Sequence, residues 1–340
     1  MKILILKFSA LGDVVRTSYI LPGLCEKYDN PVIDWITSPA GQELLRHNPY
    51  IRLLASPQTG LEFLESNYYD LVLSFDDEED VLKIVDKASH KKVVGAYLQD
   101  GRKYYSRDSS EWFDMGLISY DGKESADLKK KHNQREHNQI FADMLGIKID
   151  QGIFYNSSWI KERIQKQFDK TVFNIGINSS ACMRWKSKEM PFNEVCRLIE
   201  RLHQYRVDNK KIKIHLLGGR SEETRNFEIR EHVCKYDVKD WGGGNTLLEF
   251  AAIVKECDYV ISSDSLALHL AISQKIYNLS FFAPTSASEI GTFETGIKVV
   301  SLSDDYCNYG PDSDNSTITA DRIIDAFKTH CIALDIALSS

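Results

Sequence analysis

The chain opens on an apolar run, Ile3-Leu4-Ile5-Leu6, that passes through Lys7-Phe8 into Ser9-Ala10-Leu11-Gly12-Asp13 and turns helical at Val14-Val15-Arg16. A short apolar run bounded by a turn reads as a strand, and the change of period reads as the helix that follows it. The alternation continues. A helix through residue 24 is followed by a strand at 32–37, a short helix at 41–46 and a strand at 69–75. The acidic run Asp76-Asp77-Glu78-Glu79-Asp80 then leads into a helix through residue 86, and a strand at 92–96 closes the region. Strands alternating with helices predict a parallel sheet with right-handed crossovers.

Residues 98–131 are polar and aromatic with no sustained period and read as a loop region with a short helix at 110–116. Lys129-Lys130-Lys131-His132 is expected to open a helix carrying Ile140, Phe141, Met144 and Leu145, stopped by Gly146. A second alternating series starts near residue 171, with strands at 172–177, 213–217, 259–263 and 276–282. Helices are expected at 192–205, 221–235 and 265–273, and Thr246-Leu247-Leu248-Glu249 has the form of a capping box.

The expected fold class is therefore α/β, with two facing Rossmann-like domains built on parallel sheets. The domains would span residues 1–155 and 171–318, joined through about 150–170. A terminal helix over 319–340 is expected to pack back on the first domain. Two such domains facing one another would bound a deep cleft, which suits an enzyme that joins two bulky substrates and excludes water.

Length agrees, since 340 residues exceed one ordinary core. The composition, 43% apolar and 27% charged, is that of a soluble globular protein. A net charge of −7 argues against nucleic acid as a partner. The opening apolar run is too short for a signal segment, and no stretch reaches the roughly 18 apolar residues of a membrane span. Seven cysteines without a C-x-x-C spacing fit reduced thiols better than disulfides or zinc. The expected location is the cytoplasm, with room for peripheral contact with the inner face of the membrane.

The chemistry collects on the turns after strands, where open α/β sheets bind ligands. Asp13 stands on the first such turn, as a candidate base or as a helix cap. In the second series, Asn178-Ser179-Ser180 precedes Met183-Arg184-Trp185-Lys186-Ser187-Lys188, whose three cations could stabilise a departing diphosphate or form a solvated basic loop. Gly218-Gly219-Arg220-Ser221-Glu222-Glu223 sets a carboxylate where ribose hydroxyls or a helix dipole would use it. In Ser262-Ser263-Asp264-Ser265-Leu266-Ala267-Leu268-His269, Asp264 would cap the next helix, and the N–H groups of Ser265 and Leu266 could bind phosphate. His269 could join them or be a hydrogen-bonded core residue. The acids at 76–80 could hold a divalent cation or be solvated. Arg102, Lys103, Arg107 and Lys129–Lys131 would suit an anionic acceptor or a lipid surface, against the default of a solvated face. G-x-G-x-x-G, P-loop, G-x-S-x-G and H-E-x-x-H patterns do not occur at the required places.

Taken in order, Lys7-Phe8-Ser9-Ala10-Leu11-Gly12-Asp13-Val14-Val15-Arg16-Thr17, Arg184-Trp185-Lys186-Ser187-Lys188-Glu189-Met190-Pro191 and Gly218-Gly219-Arg220-Ser221-Glu222-Glu223 are one set. With Ser263-Asp264-Ser265-Leu266-Ala267-Leu268-His269-Leu270 and Phe282-Ala283-Pro284-Thr285-Ser286, the chain resembles glycosyltransferase family 9, the heptosyltransferases of lipopolysaccharide core synthesis. The resemblance implies the two-Rossmann architecture called GT-B and metal-independent, inverting transfer without a cofactor. It implies a sugar nucleotide, typically an ADP-heptose, on the C-terminal domain and a glycan or glycolipid acceptor on the N-terminal one. Asp13 matches the catalytic aspartate and Lys188 the lysine near the nucleotide phosphates. Glu222, or its neighbour Glu223, matches the ribose-binding acid, and Asp264 with His269 matches the phosphate-loop pair. Ser179, Ser180, Lys186, Ser265 and Leu266 complete the expected donor site; Ser9, Gly12, Arg16, Arg102 and Lys103 are expected on the acceptor side. Family members often carry Gly soon after the Ser265 position, where this chain has Leu266-Ala267-Leu268. A sugar-nucleotide epimerase, a metal-dependent transferase and a non-catalytic sugar-nucleotide binder are the competing readings.

Overall fold

The structure is a computed structural model that describes residues 1–180 and 185–339. It divides into two compact units, Met1–Tyr155 with Ser288–Gly291, and Asn156–Ala287 with Thr292–Ser340.

The first unit carries strands β1 (Lys2–Leu6), β2 (Val32–Ile36), β3 (Leu53–Ala55), β4 (Tyr68–Tyr69), β5 (Leu71–Ser74), β6 (Ser89–His90), β7 (Val93–Gln99) and β8 (Arg102–Tyr105). Its main sheet runs β3-β2-β1-β5-β7-β8, parallel except for the β7–β8 hairpin. β1 is apolar throughout its last four residues because both faces are covered, as parallel sheets require. Ile3, Ile5, Trp35 and Phe141 pack on one side; Leu4, Leu6, Val72 and Val85 pack on the other.

The second unit carries β9 (Phe173–Asn178), β10 (Arg206–Val207), β11 (Lys210–Leu216), β12 (Val238–Asp240), β13 (Tyr259–Ser263), β14 (Tyr277–Phe282), β15 (Gly296–Val300) and β16 (Leu338–Ser339). The order is β15-β14-β13-β9-β11-β10-β16, with β12 also beside β11. The pairings among β15, β14, β13, β9, β11 and β12 are parallel. The capping box at Thr246 and Glu249 is formed and starts the helix Leu247–Glu256.

Several expectations need correcting. The helix expected through residue 24 is two helices, Leu11–Thr17 and Ile20–Lys27. The region read as loop holds a hairpin whose tip, Asp100-Gly101, has φ of 50° and 72°. An Asp-Gly pair permits both left-handed residues of a tight hairpin turn, so the signal was present in the sequence. Lys129-Lys130-Lys131-His132 ends the helix Gly122–His132 rather than opening one, and cations there complement the carbonyl end of the dipole. The next helix, His137–Leu145, has its own capping box at Glu136 and Gln139. The terminal helix, Ala320–Ala333, buries Ile323, Ile324, Phe327 and Cys331 in the core of the second unit. Its apolar stripe fits the face of that sheet beside the helix Phe192–Leu202. All six described cysteines are free thiols. No helix among the described residues is long and apolar enough to cross a membrane.

Candidate active site

In each unit the order of strands reverses at one strand. From β1 the chain moves to β2 on one side, and β5 lies on the other. From β9 it moves to β11 on one side, and β13 lies on the other. Such switch points open a crevice at the carboxyl ends of the strands. Of the ionisable side chains singled out by the sequence, Asp13 follows β1 at the first, and Lys188, Asp264 and His269 meet at the second.

At the first switch point, Leu6 of β1 is in register with Ser74 of β5. Residues just past both strands therefore leave the same edge side by side. Lys7 Nζ bonds the Asp76 carboxylate and the Ser9 carbonyl, and Asp76 also accepts the Phe8 N–H. Lys7 and Asp76 are buried. Burial raises the Asp76 carboxyl above its ordinary value, and the Lys7 charge only partly offsets this. Asp13 Oδ2 lies 3.8 Å from Lys7 Nζ, and Asp13 Oδ1 lies 3.0 Å from the Arg16 guanidinium. The Arg16 guanidinium sits over the Trp112 ring, 5.6 Å from its centroid.

Asp13 is not the helix cap. Ala10 holds that position and makes no side-chain cap bond, so Asp13 falls in the first turn. A carboxylate there still complements the dipole. With about one third of its side chain exposed, it is both braced by two cations and open to solvent. Gly12 is buried in the same turn, while Ser9 donates to Glu78 Oε1 at 3.0 Å. Lys103 donates to the Asp77 carbonyl at 2.6 Å, which ties the hairpin to the turn after β5. Arg102 is exposed on β8. Asp76 stands apart from the acidic run it begins, being committed to Lys7, whereas Glu78, Glu79 and Asp80 are exposed. A groove of about 740 Å³, lined by Lys27, Asp70, Lys91 and Asp143 among others, lies at the opposite, amino edge of the sheet.

At the second switch point, Ser262 of β13 is in register with Asn178 of β9. The Asn178 amide donates to the Leu217 carbonyl at 3.1 Å, and Asn178 Oδ1 accepts from Ser265 Oγ at 3.0 Å. Ser265, not Asp264, is the N-cap of the helix Leu266–Ser273, and its hydroxyl makes no cap bond to that helix. The hydroxyl is committed to Asn178 and Ser262 instead, so it does not cap the N–H donors of the first turn. Asp264 has a different task. Its Oδ2 accepts from Lys188 Nζ at 2.9 Å, and its Oδ1 lies 3.5 Å from His269 Nε2. Burial would raise this carboxyl, but Lys188 and His269 hold it well below the usual carboxylate range. Lys188 also lies over the Trp185 ring, 5.5 Å from its centroid. His269 is buried, with its Nε2 3.5 Å from Asp264 Oδ1.

Ser179 and Ser180 are buried at the end of β9. Arg225 braces this turn, donating to Ser179 Oγ at 3.4 Å and to the Met190 carbonyl. Lys186 shares the short 3-10 turn Lys186–Lys188 with Lys188 but is exposed. Of the basic loop, Cys182, Met183 and Arg184 lie outside the described residues. Beyond β11, Glu222 is buried and accepts from the Gly219 N–H at 2.7 Å and from Ser221 Oγ at 2.5 Å; Glu223 begins the next helix and is exposed. Gly218 is required here, because an added Cβ would lie 2.7 Å from the Glu222 Cβ. Sequence reasoning gave no role to Arg225 and no individual role to Lys7, and it read Asp76 only as part of a candidate cation cluster and Asn178 only as part of a polar turn. Only their places just past strands or on the helix after Glu222 could have marked them.

Two doubly wound α/β units, each with ionisable groups at its switch point, define the two-Rossmann class to which GT-B glycosyltransferases belong. Residues 64–316 match the family described as glycosyltransferase family 9 (heptosyltransferase), and the chain belongs to that family. It is thus a glycosyltransferase. Among solved structures, a glycosyl transferase family 9 protein from Veillonella parvula superimposes with a TM-score of 0.78 at 16% identity, covering 98% of this chain and 97% of that one. The ADP-heptose LPS heptosyltransferase II of E. coli matches with a TM-score of 0.67 at 15% identity, covering 98% and 100%. The E. coli heptosyltransferase WaaC with ADP matches with a TM-score of 0.65 at 16% identity, covering 97% and 100%. No curated protein sequence matches the chain.

Proposed function

We propose that this protein transfers a heptose from an ADP-heptose to a hydroxyl of a lipopolysaccharide-core or related glycan acceptor, with inversion and without a metal or cofactor. The Lys188–Asp264–His269 cluster beside the open helix start at Ser265 is the observation that carries this reading. A departing nucleoside diphosphate develops negative charge, and a lysine beside a helix N-terminus stabilises charge at that point. Ser179, Ser180, Ser265 and Leu266 supply the small groups and N–H donors for the phosphates, and Glu222 takes the ribose. The relatives crystallised with ADP and with a fluorinated ADP-heptose support the choice of base.

The first unit supplies the base. Asp13 removes the proton from the acceptor hydroxyl as it attacks the anomeric carbon, the C–O bond to the diphosphate breaks, and the diphosphate leaves with the electron pair. General-base help of this kind contributes roughly 10²–10⁴-fold. Arg16, Ser9, Gly12 and the hairpin cations Arg102 and Lys103 line the acceptor side. The work belongs in the cytoplasm, at the inner face of the membrane that carries a glycolipid acceptor.

Two measurements test the reading. Thermal-shift titration with ADP-, UDP- and GDP-sugars should show stabilisation by the ADP-sugar above the others, because ligand binding stabilises the folded state by mass action. Asp13→Ala should keep that stabilisation and lose transfer. Near wild-type transfer by a folded Asp13→Ala protein would falsify the base assignment.

A further inference from the structure

Lys7 is a lysine with little access to water, placed between two carboxylates of unlike surroundings. Asp76 is buried and bonded to it; Asp13 is partly exposed and 3.8 Å away. Lys7 has no room to act on a substrate as a free surface cation, because its ammonium is already bonded to Asp76 and to the Ser9 carbonyl. The Ser9 contact also fixes the backbone of the turn that carries Asp13. The turn is held further by Ser38 Oγ, which donates to the Phe8 carbonyl at 3.1 Å.

We propose that Lys7 is a positioning residue for Asp13, and that Asp76 sets how much of the Lys7 charge Asp13 experiences. The proposal rests on the reading of Asp13 as the base and deepens it. Lys7 favours the ionised, proton-accepting carboxylate and aims it; a full unbalanced cation would make that carboxylate too weak a base. Asp76 draws off part of the charge through its own bond to Lys7. Other charges recorded against the group are Arg16, 3.0 Å from Asp13 on the same helix, and Glu78 past β5, which acts on Asp76.

The two partners are distinguished by opposite signs. Lys7→Met removes a cation beside Asp13, so the Asp13 carboxyl should titrate at higher pH than in the wild type. Asp76→Asn leaves Lys7 unbalanced, so Asp13 should titrate at lower pH. Lys7→Arg should restore much of the wild-type behaviour. The titration is read directly by carbon-13 NMR of carboxyl-labelled protein, with Asp13 assigned by difference from Asp13→Asn, and in parallel from the acid limb of the transfer rate against pH. Shifts of opposite sign in both measurements support the proposal. Opposite shifts in the NMR titration with an unmoved rate profile keep Lys7 as the residue positioning Asp13 and overturn Asp13 as the base. An Asp13 titration unmoved, or moved the same way by both substitutions, overturns the proposal. Should Lys7→Met fail to fold, Lys7→Arg and Asp76→Asn still give the test, since Asp76→Asn must lower the titration and Lys7→Arg must leave it near the wild type.

Discussion

Lys188 Nζ lies 2.9 Å from Asp264 Oδ2, while His269 Nε2 faces the other oxygen at 3.5 Å. Neither partner is more than a fifth exposed, so the pair is poorly screened. Replacing Lys188 with Met strands a carboxylate in a site built for a cation. The folded protein should lose about 3 kcal/mol at neutral pH. In the wild type the depressed carboxyl contributes stability above the ordinary Asp value of 3.8, and that contribution is lost as pH falls through the lower folded value. In Lys188→Met only His269 is left to oppose burial, and acid relieves the under-paired charge. The deficit against wild type should therefore narrow from pH 7 to pH 5, as urea midpoints would show. A deficit that widens contradicts this.

Glu222 and Glu223 can be separated by binding. Only Glu222 is buried at the turn after β11, so Glu222→Gln should weaken ADP affinity by about 10-fold or more, the worth of a charged hydrogen bond. Glu223→Gln should leave affinity unchanged. Calorimetric titration of ADP into both variants decides it, and the reverse pattern moves the ribose site one residue along the chain.

His215 predicts an acid sensitivity. Its ring is buried against Phe168; its Nδ1 accepts from the Trp241 N–H at 3.0 Å, and its Nε2 lies 2.8 Å from Asn174 Oδ1. Burial, with Lys213 and Lys239 nearby, pushes it down from 6.5 to about 3. Above pH 6.5 the ring is neutral in both states. Below that the unfolded chain takes up a proton that the folded protein refuses, so stability falls by up to about 1.4 kcal/mol per pH unit. His330, also pushed down by burial, acts in the same direction. His215→Phe should be less stable overall and show a shallower fall between pH 6.5 and 4.5; an unchanged slope would remove His215 from the account.

Phe327 on the terminal helix is fully buried, with its ring 5.0 Å from that of Tyr259 on β13. Phe327→Ala should cost about 3–5 kcal/mol. Protection of β13 amides from hydrogen exchange should fall with it. Protection kept at the wild-type level would show that the helix is dispensable to this core.

The sequence by itself determined the alternation of strands and helices, because fully covered parallel strands must be apolar and each is followed by a helix with its own period. It also marked the candidate turns at the carboxyl edges, since Asp13, Ser179, Glu222 and Asp264 all follow a strand within the next turn or helix start. Local chemistry was legible where one segment carries the whole signal, as at Thr246 and Glu249. Tertiary structure decided which charges meet. Lys7 and Asp76 are 69 residues apart, and Lys188 and Asp264 are 76 apart. Each pair forms because parallel registry brings two strand ends to one edge, or returns a loop to it. It also decided that Asp13 is braced rather than capping, that Asp264 answers to Lys188 rather than to its own helix, and that the terminal helix fills the second core. Contacts of this length carry no local period, and a carboxylate's partner is fixed only when the sheet is assembled.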